Sequence, residues 1–155
     1  MATIRRDQPV THAVEIPPVI SVVELAAQCG FVRCEPAFER FHQHREPAEY
    51  SESKREFMLI PFAEGTGIMR ANAEFFNRGL LRPTIREFLS FILHYREVLA
   101  KNSIRVVLHN AEFFDGGWKH YLVVPTGDKC GLSLLAAAER DVVVDNYDFA
   151  GIYVE

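Results

Sequence analysis

The sequence predicts an α+β domain in which N-terminal helices are followed by a C-terminal, mostly antiparallel sheet of short strands. Three observations carry this. Two capping boxes, Ser21 to Glu24 and Thr84 to Glu87, open helices in the earlier part of the chain. Ile85, Phe88, Leu89 and Ile92 then fall at i, i+3, i+4, i+7 spacing, which makes one apolar helical face. From Ser103 onward the texture changes to short β-branched or apolar runs split by Gly, Asp and Asn, as in strands joined by hairpins.

Taken in order, residues 1–19 read as an extended lead-in, because Pro9, Pro17 and Pro18 disfavour helix. Residues 20–155 read as a single α+β domain. Ser21 caps a short helix with Ile20 and Leu25 as a hydrophobic staple, and Gly30 ends it. Pro36 suits the first turn of another helix carrying Phe38 and Phe41. The polar stretch 45–55 is loop-like and marks a weak boundary. Phe57 to Phe62 reads as a buried strand. Thr66 caps a helix through about Arg78, stopped by Gly79, and the helix after Thr84 runs to about Leu99. The strands expected after it are Ile104–Leu108, His120–Val124, Leu132–Leu135, Val142–Val144 and Ala150–Val154.

Composition bounds the function classes. A chain of 155 residues buries roughly 70% of its unfolded surface and needs no metal or disulfide to fold. A net charge of -4 gives no overall electrostatic footprint for nucleic acid, so no nucleic-acid partner is expected. No run approaches 18 consecutive apolar residues, so no membrane span is expected. The segment Met1 to Pro9 has no apolar core of a secretory signal. Three cysteines, Cys29, Cys34 and Cys130, cannot all pair within one chain and read as reduced thiols of a cytoplasmic protein.

The densest set of candidate ligands is His109, Glu112, Asp115 and His120, bracketing a turn at Asp115-Gly116-Gly117. With a three-residue loop, Glu112 would face His120 across the strands. A carboxylate with imidazoles could hold zinc or act as an acid–base pair, which makes His109, Glu112 and His120 candidate metal ligands. The plainer alternative is a polar hairpin tip with solvated side chains. Cys29, Cys34, His42 and His44 do not have zinc-finger spacing, and on a helix His42 and His44 would point about 200° apart. Asp145-Asn146-Tyr147-Asp148 lacks the Gly and distant Glu of a calcium loop and reads as a turn. Arg78, Arg82, Arg86 and Arg96 could bind phosphate, but arginines near helix ends more often solvate a face or pair with Glu. Gly65-Thr66-Gly67 precedes a helix and resembles an anion-binding turn, although a tight turn capped by Thr66 explains it as well.

The stretch from Gly79 onward resembles a family of uncharacterised small bacterial proteins, many from candidate-phylum lineages. Their pattern runs Gly-x-Arg-Pro-Ala-Thr-x-x-Glu-Leu-Leu, followed by a series of short strands. Here it reads Gly79-Leu-Leu-Arg82-Pro83-Thr84-Ile-Arg-Glu87-Phe-Leu89, then Val106 to Asn110, His120 to Val124, Gly131 to Leu135 and Asp148 to Val154. It departs by one extra residue before Arg82, by Phe88 for Leu, and by His109-Asn110 for Gly-Ser. The family has no activity to carry over. More distantly the layout is similar to the C-type-lectin-like fold, which implies a ligand-binding loop surface and is an analogy of fold alone.

The expectation from these readings is a non-enzymatic binding or protein-interaction module, without a cofactor, for an unknown protein or small ligand. Its contact residues would be Asp115, Trp118 and His120, an aromatic anchor with polar neighbours. The alternative is a small hydrolase or transferase using the His/Glu group of the 109–120 hairpin, with or without a metal.

Overall fold

Ser21 Oγ accepts from the backbone N–H of Glu24 at 3.0 Å and opens helix α1 (Val22–Cys29). Gly30, with φ of 67°, closes it in the left-handed conformation. Helix α2 (Ile68–Arg78) ends on Gly79 in the same way, with φ of 66°. Helix α3 (Ile85–Lys101) begins at a complete capping box. Thr84 Oγ1 accepts from the Glu87 N–H at 3.2 Å, and Glu87 Oε1 accepts from the Thr84 N–H at 2.9 Å. The computed structural model describes residues 12–15, 21–36, 38, 54–62, 68–108, 112–114, 117–127, 131–138 and 147–153.

Nine strands join one sheet among the described residues. They are β1 (His12–Glu15), β2 (Arg33–Cys34), β3 (Lys54–Phe62), β4 (Leu80–Leu81), β5 (Val106–Val107), β6 (Glu112–Phe114), β7 (Gly117–Pro125), β8 (Leu132–Ala138) and β9 (Tyr147–Tyr153). The main path runs β1-β3-β9-β5-β7-β8-β2, with β4 paired to β9 and β6 to β7. Pairing is antiparallel except for β5 with β9 and β2 with β8.

The fold is therefore mixed α+β with a mostly antiparallel sheet, but its elements do not come as helices first and strands afterwards. Strands β1 to β4 are interspersed with α1, α2 and α3. Three of these strands, β1, β2 and β4, are two to four residues long. Such pieces hold too few positions to display a period of two. The stretch read as a lead-in contributes β1, which pairs antiparallel with β3 from His12 opposite Phe57 to Glu15 opposite Lys54. The C-terminal strands are not a simple series of hairpins either. β9 leaves β8 and inserts between β3 and β5. Phe41, Thr66 and the strand expected at Val142–Val144 lie outside the described residues.

Alternation along each strand divides the core into two layers. On one face Phe57, Leu59, Val106, Tyr121, Val123, Leu134 and Ala150 pack under α1 and α3. Aromatic rings stack through this layer, with Phe57 against Phe91 at 4.9 Å and Phe38 edge-on to Tyr121 at 5.2 Å. On the other face Met58, Ile60, Val107, Leu122 and Phe149 cluster with Ala71 and Phe75 of α2 and Leu80 of β4. A Cβ at Gly151 would lie 2.9 Å from Leu80 Cδ1, so glycine is what lets β4 and α2 close on β9.

Candidate functional site

The hairpin of β6 and β7 carries the residues singled out in the sequence. Its register sets Glu112 opposite Lys119, Phe113 opposite Trp118 and Phe114 opposite Gly117. Two residues, Asp115 and Gly116, thus connect the strands. Glu112 does not face His120, because Gly117 belongs to the strand and the connection is one residue shorter than the sequence suggests. His109 and Asp115 lie outside the described residues.

Trp118 is 62% exposed, one residue into β7. Side chains at even positions of β7 share one face, so Trp118 stands on the same side as His120 and Leu122. His120 is buried, at 2% exposure, with Nδ1 3.0 Å from the Leu108 carbonyl oxygen. A carbonyl can only accept, so Nδ1 is the donor in this contact. Of the three residues named as contacts, the structure places Trp118 at the surface and His120 beneath it.

The other candidates separate clearly. Cys29 is buried, its Sγ donating to the Leu89 carbonyl at 3.5 Å, and burial pushes its thiol up to about 12. Such a thiol is not a nucleophile at neutral pH. Cys34 is exposed, and neither Cys29 nor Cys34 is in a disulfide. Among the described residues no three His, Cys, Asp or Glu side chains gather in a metal-binding group. None of the described helices is long and apolar enough to cross a membrane.

The arginines do not form one basic patch. Arg86 is fully buried in the first turn of α3, Arg78 pairs with Glu74 at 3.1 Å, and Arg96 donates to the Gln28 carbonyl at 3.0 Å. A charged group that the sequence did not reveal is Arg55, whose Nε lies 2.7 Å from Glu87 Oε2. Glu87 is 3% exposed and uses one oxygen on Arg55 and the other on the Thr84 N–H. It ties β3 to the start of α3 and is a structural brace. Arg55 falls in a polar run that reads as loop, so nothing local announces this contact.

With the geometry of the chain in view, comparison with known proteins adds nothing to it: no family model, no curated protein and no solved structure matches this sequence.

Proposed function

We propose that the chain is a non-enzymatic binding module that engages a protein or small ligand through the β6–β7 hairpin, with Trp118 as the anchor. The observation that carries this reading is an indole 62% exposed on a paired strand. Trp is usually well buried, and an exposed aromatic on a rigid base is the residue type that dominates binding energy at interfaces. Asp115 and His120 are the polar neighbours of this anchor in sequence. A ligand-binding loop surface is also what the lectin-like analogy implies.

The test is a peptide-display selection on the parent protein, followed by binding measurements on Trp118→Ala. Selected peptides should bind the variant at least about tenfold more weakly, the loss of a typical hot spot. Equal binding to both proteins would remove the hairpin as the contact surface.

The second reading is a small hydrolase or transferase built on His109, Glu112 and His120. The observation in its favour is the Nδ1 contact of His120 to the Leu108 carbonyl, the kind of partner that orients an imidazole for acid–base or metal chemistry. Stoichiometric zinc in the purified protein, lost on His120→Ala, would favour this reading over the first.

A further inference from the structure

On the helical side of the sheet, away from Trp118, a half-open cavity of about 280 Å³ lies between the end of α1, the last turns of α3 and the start of β8. Its floor is apolar, from Cys29, Ala100 and Leu132, which are 3–5% exposed. Arg96 and Glu97 stand on its rim.

These two charges are held apart. They are consecutive on α3, so their side chains leave the helix about 100° from each other. Arg96 Nη1 donates to the Gln28 carbonyl at 3.0 Å, which anchors the guanidinium at the end of α1. Its remaining N–H groups have no partner among the described residues, and neither does the Glu97 carboxylate.

A small cavity with one cation, one anion and an apolar floor is complementary to a zwitterion. We propose that this cavity binds a free amino acid, its carboxylate on Arg96 and its ammonium on Glu97, with a short apolar side chain over Ala100 and Leu132. The volume of about 280 Å³ falls just below the usual ligand-pocket range of roughly 300–1,000 Å³, a size that suits an amino acid. The guanidinium fork suits a carboxylate. A peptide terminus offers only one of the two charges at its end, so the free amino acid is favoured over a chain end.

The experiment is an amide-shift titration by NMR with L-alanine and L-valine, with acetate, methylammonium and the dipeptide Ala-Ala as comparators. The amino acids should shift the amides of Gly30, Ala100 and Gly131 saturably, and acetate and methylammonium at least about tenfold more weakly. Glu97→Gln keeps the Arg96 contact to α1 and should lose amino-acid binding at least about tenfold while leaving the thermal midpoint near that of the parent. Arg96→Lys should show the same selective loss. No saturable shift with either amino acid, tighter binding of Ala-Ala, or unchanged binding by Glu97→Gln would each overturn the proposal. The outcome is independent of the hairpin, because Trp118 lies on the opposite face of the sheet.

Discussion

The helical face of the sheet and the face opposite it are closed to different degrees. Under α1 and α3 the side chains of Phe57, Leu59, Tyr121, Val123 and Leu134 have no exposed surface. On the other face Val124, Leu135 and Ala137 are only partly covered, and Trp118 stands out. Helix length explains much of this. The 11 residues of α2 make a rod about 16 Å long, against about 29 Å for a path of seven strands. α2 packs with β4 and the β3–β9 part of the sheet, and among the described residues no helix covers β7 and β8 on that side. The tightest packing is thus under α1 and α3, and the more open surface of β7 and β8 is on the other face.

Mutations should follow that division. Phe57→Ala should cost about 3–5 kcal/mol, because it empties a site in contact with Phe91, whereas Leu135→Ala on the opposite face should cost about 1 kcal/mol. Chemical denaturation of both variants checks this, and comparable losses would mean the second face is as tightly packed as the first. Glu87→Ala should cost about 2–3 kcal/mol, since it removes the partner of Arg55 and half of the α3 cap. Thr84→Ala, which removes only the other half, should cost about 1 kcal/mol. Equal midpoints for these two variants would show that the brace to β3 adds nothing.

Cysteine chemistry sharpens the comparison further. Burial raises the Cys29 thiol from 9.0 to about 12, so the folded state favours the protonated form. The sign follows: this contribution to stability is fully present below about pH 9 and is lost as pH rises towards 12. At pH 8 a thiol reagent should modify Cys34 in the native protein and reach Cys29 only after unfolding. Equal rates at the two positions would mean that the helical face opens readily. The smallest effect is expected at Trp118, where alanine should change stability by less than about 0.5 kcal/mol. As the single Trp of the chain, it should emit at long wavelength and be quenched by iodide. A blue-shifted, protected emission would close the second face and end the argument for a surface there.

Local signals in the sequence reached the helices and the longer strands. Ser21, Gly30, Gly79, Thr84 and Glu87 act within a few residues of themselves, so their capping roles are readable from spacing and are seen in the structure. The runs around Phe57, His120 and Leu132 have enough length to show as strands. What was not readable depends on distant partners. Nothing near Tyr147 says that it will sit opposite Phe62, nor does Arg55 announce Glu87. The register of the hairpin turns on a single residue, Gly117, which reads as turn beside Asp115 and Gly116 but pairs with Phe114. Trp118 was visible as a candidate because the turn beside it is local. The amino-acid cavity was not, since Cys29, Arg96 and Leu132 meet only once the sheet and helices are assembled.

The position of β9 also bears on the order in which the protein can be made. Ile60 pairs with Phe149 and Val107 with the same residue from the other side, so the strand synthesised latest among those described is a central one. Until it emerges, β3 and β5 have no partner on those edges, and Met58 and Ile60 lack the cluster that buries them. Closing so long a loop is slow, and an unpaired apolar strand is a template for association with another chain. On the ribosome, the nascent chain therefore passes through a long interval with an open hydrophobic edge, the interval in which a holding chaperone would matter most.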